Sequence, residues 1–226
     1  MARSKSSQRW LREHFNDPFV KRAQAEGVRS RSTYKLEELI GRDRFLKPGM
    51  VVVDLGAAPG GWSELVRPIA GSRGRVISLD ILPFEDIEGV EQVTGDFREP
   101  QTLARLEALL GGAAVDLVLS DMAPNMSGVS SVDQARALEL AELATEFAAS
   151  HLRPEGTFLV KLFQGAGFDV YLRDLRRAYA KVTMRKPQAS RARSAEVYAL
   201  CAGFRARESH ASPADADAAQ SLARNG

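Results

Sequence analysis

Beyond residue 50 the apolar positions switch repeatedly between a short continuous run and a helical period. Met50–Leu55 has the length and apolar content of a buried strand. A glycine-rich turn follows, then Trp62–Ile69, in which Leu65, Val66 and Ile69 share one helical face. Val76–Asp80 predicts a second strand that ends in an acid, Gln92–Thr94 a weak third, Val115–Ser120 a fourth and Thr157–Leu162 a fifth. Between them Thr102–Leu110 reads as a helix stopped by Gly111 and Gly112. Leu140, Leu143, Ala144, Phe147 and Ala148 form the stripe of another helix, with Ser131 and Gln134 at capping-box spacing and Pro154 past its end. A helix around Val170–Ala180 is followed by Lys181–Arg185 and Glu196–Cys201, two strands with no helix between them. Two helical patterns, near Ser6–His14 and Thr33–Gly41, precede the array.

This alternation predicts an α/β fold: a mostly parallel seven-stranded sheet with helices on both faces. The last two strands, lacking a crossover helix, should pair antiparallel at one edge. Residues 1–47 read as a basic helical extension packed on a core of 48–205. From Ala206 the chain is rich in Ala with scattered Ser, Asp and Pro, has no apolar period, and is expected to be disordered.

Composition narrows the function classes. Of 226 residues 44% are hydrophobic and 27% charged, which supports a packed core. No apolar run approaches the ~20 residues that cross a bilayer, and no apolar stretch follows the basic N-terminus, so neither a membrane span nor a secretory leader is expected. A single cysteine, Cys201, excludes an internal disulfide, and with only three histidines no metal site is expected. The expected compartment is the cytoplasm, and a monomer is the expected state.

The net charge of +2 conceals an uneven distribution. Residues 1–47 hold twelve Lys/Arg against six Asp/Glu, and residues 176–195 hold seven Lys/Arg and no acid. If these two segments converge, they form a patch that attracts nucleic-acid phosphates. Arg29, Arg31, Arg191 and Arg193 are the candidate phosphate contacts.

The segment Val51–Trp62 combines a strand, a tight turn and a helix start, an arrangement that brings backbone N–H groups close to a ligand. Asp80, at the end of the next strand, suits ribose hydroxyls. Ala58 stands where a dinucleotide turn has its second glycine, and the acidic Asp54 disfavours a pyrophosphate but suits a cationic amine or sulfonium. Asp96 could accept from an adenine amino group. Four further polar residues interrupt apolar patterns at the edge where α/β sheets bind ligands. Asp121 follows strand four, Lys161 closes strand five, Glu196 opens the last strand, and Lys35 borders the stripe Leu36, Leu39 and Ile40.

These residues carry a resemblance. Ser30–Leu36, Asp54–Trp62, Asp80–Pro83, Gly95–Phe97, Ser120–Asn125, Val160-Lys161 with Phe163–Gly165, and Ser190–Ser194 before Glu196 are similar to motifs of the FtsJ/RrmJ (RlmE) family. Its members are S-adenosylmethionine-dependent ribose 2′-O-methyltransferases of bacterial large-subunit ribosomal RNA, on a Rossmann-like fold. The resemblance runs from Gln8 to about Gly203. It implies a K-D-K-E tetrad at Lys35, Asp121, Lys161 and Glu196, and cofactor contacts at Gly60, Trp62, Asp80, Asp96 and Asp121. It also implies the substrate, a uridine in the A loop of 23S rRNA within the large ribosomal subunit. Lys161 either takes the hydroxyl proton or stays charged and orients the hydroxyl. Two rival classes are a nucleotide- or dinucleotide-binding oxidoreductase on a similar fold, disfavoured by Ala58, Asp54 and the absence of a second nucleotide half, and a non-enzymatic RNA-binding assembly factor, disfavoured by the tetrad.

Overall fold

The computed structural model describes residues 17–125, 127–191 and 194–205. The expected helix near Ser6–His14, the candidate RNA contact Arg193 and the tail from Ala206 lie outside the described residues.

Two helices, α1 (Pro18–Glu26) and α2 (Thr33–Asp43), lead into β1 (Val51–Leu55) and α3 (Gly61–Ala70). Then follow β2 (Arg75–Asp80), β3 (Val90–Thr94), α4 (Pro100–Leu110), β4 (Val115–Ser120), α5 (Ser130–His151) and β5 (Leu152–Phe163). The chain continues through α6 (Phe168–Ala178), β6 (Tyr179–Arg185) and β7 (Glu196–Phe204). One seven-stranded sheet has the order β3-β2-β1-β4-β5-β7-β6. The first five strands are parallel, and β7 inserts between β5 and β6, antiparallel to both. Because β7 runs backwards, its first residue, Glu196, pairs with Phe163 at the carboxyl end of β5. The strand order reverses between β1 and β4, and the carboxyl edge at that switch point is where this architecture binds ligands.

The apolar residues divide between the two sheet faces. Leu106 and Leu110 of α4, Ala144 and Phe147 of α5, and Leu175 of α6 cover one face together with Val53, Val118, Phe158 and Val160. On the other face Leu36 and Leu39 of α2 and Trp62 and Val66 of α3 pack on Val52, Leu117, Leu159 and Tyr198. A lysine at the start of α2 is thereby held over the strands that carry Lys161 and Glu196.

Local details depart from the sequence expectations. α1 has no apolar period strong enough to announce it; it starts on Asp17, whose carboxylate accepts from Phe19 N–H at 3.0 Å, with Pro18 as first helical residue and Gly27 as left-handed cap. Ser131 and Gln134 do not cap α5, which begins earlier, after Val129. Pro154 lies inside β5 rather than before it. The strand tolerates it because pairing with β4 skips from Leu152 to Thr157, a bulge that asks no N–H of Pro154.

Candidate active site

Outside the carboxyl ends of β1, β2 and β4 lies a cleft of ≈ 530 Å³. Its floor is the turn after β1. Gly56 has φ +80°, and a Cβ there would stand 2.8 Å from the backbone nitrogen of Met122, so only glycine lets the two loops meet this closely. Asp80 forms one wall, its carboxylate accepting from Ala58 N–H at 2.9 Å and Leu82 N–H at 2.8 Å. Each oxygen keeps acceptor capacity for a further donor. Ile81 and Leu82 are exposed beside it, offering apolar surface for a flat ring. Asp96 also faces the cleft, but Arg98 engages both its oxygens, at 3.0 and 2.6 Å, and holds its pKa down.

Gly60 and Trp62 do not line this cleft. Gly60, at φ +100°, meets Ile87 and Phe84 on the far side of the turn. Trp62 is buried; its indole N–H donates to the Ser32 carbonyl at 2.8 Å and its ring lies 5.9 Å from that of Tyr198, so it braces the start of α2. Asp54, read as a partner for a cationic ligand, is buried beneath the turn instead. It accepts from the Ser63 hydroxyl at 2.6 Å, and its other oxygen has no partner among the described residues. Burial pushes its pKa up to about 7, with Asp121 and Asp80 adding to the shift.

Lys35, Asp121, Lys161 and Glu196 converge at one end of the cleft. Lys35 Nζ donates to Glu196 Oε1 at 2.7 Å, and Ser190 Oγ donates to the same oxygen at 2.8 Å. Lys161 Nζ pairs with Asp121 Oδ1 at 3.0 Å and also donates to the Asp121 carbonyl. Between the two ion pairs stands Tyr198, which accepts from Lys35 at 3.3 Å and donates to Asp121 Oδ1 at 2.7 Å. Burial works to raise the Asp121 pKa, but Lys161, Lys35 and the Tyr198 hydrogen bond outweigh it and hold the carboxylate below its ordinary value. Burial and the Asp121 charge push the Tyr198 phenol well above its ordinary range, so it stays neutral and serves as a donor. Sequence reasoning missed Tyr198. The available signal was its place on β7, two residues after Glu196 and therefore on the same sheet face.

The two basic segments do meet. Arg31 donates to Asp17 and to the Ala189 carbonyl, and Arg191 lies 3.7 Å from Asp17. Arg29 and Arg31, both expected to contact RNA, have their guanidinium groups engaged within the chain, Arg29 with Glu64 and three carbonyls. Lys186 is exposed and donates to the Ser194 carbonyl, and Arg191 is partly exposed beside Asp17.

Residues 28–204 match a family model described as FtsJ-like methyltransferase. Ribosomal RNA large subunit methyltransferase E of Xanthomonas euvesicatoria pv. vesicatoria (strain 85-10) is 67% identical over 204 residues, 90% of this chain and 97% of that protein. The protein of that name from Xanthomonas campestris pv. campestris (strain B100) is 67% identical over 205 residues, 91% and 98% of the two chains. Among solved structures, a Plasmodium falciparum chain described as a ribosomal RNA methyltransferase aligns with TM-score 0.72 and 26% identity, over 80% of this chain and 100% of its own length.

Proposed function

Since the chain belongs to the FtsJ-like methyltransferase family, we propose that it transfers a methyl group from S-adenosylmethionine to the ribose 2′-oxygen of a uridine in the A loop of 23S rRNA, within the large ribosomal subunit. The observation that carries this reading is the pair of ion pairs Lys35–Glu196 and Lys161–Asp121, joined through Tyr198 beside a cleft walled by Asp80. On this reading one chain supplies the whole site, and it works in the cytoplasm, where ribosomes assemble.

The cleft fits the cofactor. Asp80 has acceptor capacity left for ribose hydroxyls, Ile81 and Leu82 offer apolar contact to the adenine ring, and Gly56 and Ala58 line the floor. When bound, S-adenosylmethionine supplies an activated methyl group. The target ribose belongs next to Lys161 and Asp121. A hydroxyl is a weak nucleophile and must lose its proton as attack proceeds. In the resting arrangement Lys161 is ion-paired, so its first task is to orient the 2′-oxygen and stabilise negative charge developing there. Since the charged Lys161 can only donate, the hydroxyl proton passes to the Asp121 carboxylate and from there to solvent. Glu196 and Lys35 keep that pair in position through Tyr198, and holding both reactants in line contributes much of the rate.

Labelled cofactor incubated with large subunits from cells lacking this activity tests the proposal. The expected product is a 2′-O-methyluridine that blocks alkaline cleavage at one site in 23S rRNA. Methylation of a base, or none, would overturn it.

A further inference from the structure

Arg29 looks like a phosphate contact in the sequence, yet its guanidinium is spent inside the chain. Nε–H donates to Glu64 Oε1 at 3.2 Å. One terminal nitrogen donates to the Glu85 carbonyl at 2.9 Å and the Pro59 carbonyl at 3.4 Å, the other to the Asp86 carbonyl at 3.1 Å. Only 20% of the side chain is exposed. Three pieces of the cofactor cleft's frame therefore meet on one fork: the turn after β1, the first turns of α3, and the segment 81–89 that joins β2 to β3.

The last of these has the greatest need of an anchor. Residues 81–89 form no helix or strand, so their carbonyls have no ladder partners. The segment starts from Asp80 and projects Ile81 and Leu82, 59% and 62% exposed, along the cleft. Its other described ties are slight. Leu82 N–H reaches Asp80, Val90 N–H closes a turn on the Ile87 carbonyl at 3.0 Å, the Gln92 amide reaches the Glu85 carbonyl at 3.5 Å, and Phe84 and Ile87 pack on Gly60. A planar guanidinium can bridge two adjacent carbonyls, a turn and a carboxylate at once; a lysine ammonium, with the same charge, cannot.

We propose that Arg29 is a positioning residue for the cofactor, clamping the 81–89 wall to the glycine turn, and not a contact for RNA phosphate. The proposal rests on reading the cleft as the S-adenosylmethionine site. A phosphate contact needs donors directed at solvent, and Arg29 directs its fork at its own backbone.

The test uses full-length Arg29→Lys and Arg29→Gln proteins. Lysine keeps the charge a phosphate would feel and loses the fork. Both variants should bind S-adenosylmethionine about tenfold more weakly by calorimetry, the scale of one lost charged hydrogen bond. In the cofactor-free proteins, amides of 81–89 should exchange faster while those of β1 and β4 keep their rates. The salt dependence of RNA binding at saturating cofactor should match the unmodified protein. Unchanged cofactor affinity and exchange in Arg29→Lys would overturn the clamp. So would a salt slope lower by about 1 in Arg29→Gln, the signature of a lost phosphate contact. Unmodified protein that bound no S-adenosylmethionine, with the exchange difference intact, would overturn the cofactor reading of the cleft and with it this role for Arg29.

Discussion

Lys161 and Tyr198 stand opposite each other in the β5–β7 ladder, and both reach the same oxygen of Asp121, at 3.0 and 2.7 Å. The antiparallel insertion of β7 creates this relationship. It turns the start of β7 toward the carboxyl edge and sets a phenol between two ion pairs. Asp121 thus has a charged partner and a neutral donor on one oxygen, which fixes its orientation more tightly than either would alone.

Tyr198→Phe removes that donor and leaves the ring. The buried Lys35 loses an acceptor and Asp121 a donor, at a cost of about 1–2 kcal/mol in stability. Thermal unfolding should register this loss. Methyl transfer should fall less than on removal of Lys161, because both ion pairs persist; a rate as low as that of Lys161→Ala would make the phenol a participant in the reaction.

Lys161→Ala should fold and bind S-adenosylmethionine but transfer methyl groups about 10²–10⁴-fold more slowly in single turnover, the range for groups that position or move a proton. Asp121→Ala should lose cofactor affinity as well, since Asp121 lines the cleft. The double variant should be little worse than Lys161→Ala alone, as the two act as one pair. A Lys161→Ala rate within a few-fold of the unmodified enzyme would remove Lys161 from the chemistry.

Asp133 organises the loop after β4 from the first turn of α5. Its carboxylate accepts from Ser127 N–H and Oγ at 2.7 Å and from Gly128 N–H at 3.0 Å, and these bonds hold its pKa down. The preceding residues, Met122–Asn125, line the cleft. Asp133→Ala should raise KM for RNA and for cofactor several-fold while kcat changes less, and steady-state kinetics would show the split. A fall in kcat with both KM values unchanged would mean the loop acts on the chemical step.

Much of this arrangement was legible in the sequence because it depends on period and punctuation. The strand that closes on Asp80, the lysine that breaks the β5 run and the glycines after β1 each follow from a local rule. What stayed hidden depends on who meets whom. Arg29 and Arg31 look like free cations until folding sets carbonyls against them. Tyr198 looks like an ordinary strand aromatic until β7 reverses. Asp54 looks like a ligand acid because its depth under the turn has no signature in spacing; Ser63 and Ser78, which surround it, lie on other elements. Charge identifies candidate sites, but the competition between solvent, ligand and the chain's own backbone for each charged group is decided only in three dimensions.

Asp54 gives a pH dependence whose direction follows from its environment. Its folded pKa of about 7 lies above the value near 3.9 of an unfolded aspartate. Between these limits the folded protein holds a proton that the unfolded chain has released. Stability from this group is therefore full below about pH 4, falls as pH rises toward 7, and is level above. Asp121, Asp133 and Asp43 have depressed pKa values and contribute the opposite way, so their stabilisation is lost only as pH drops through their folded values. A difference measurement isolates Asp54. Asp54→Asn cannot ionise and can keep an acceptor for Ser63, so its stability relative to the unmodified protein should improve by a few kcal/mol between pH 5 and pH 8, an order-of-magnitude figure from the linkage relation. Urea unfolding of both proteins at the two pH values reads this directly. A stability difference that stays constant from pH 5 to pH 8 would mean that Asp54 is already ionised in the folded protein at pH 5. The partnerless oxygen beneath the turn would then be solvated by buried water instead of sitting dry.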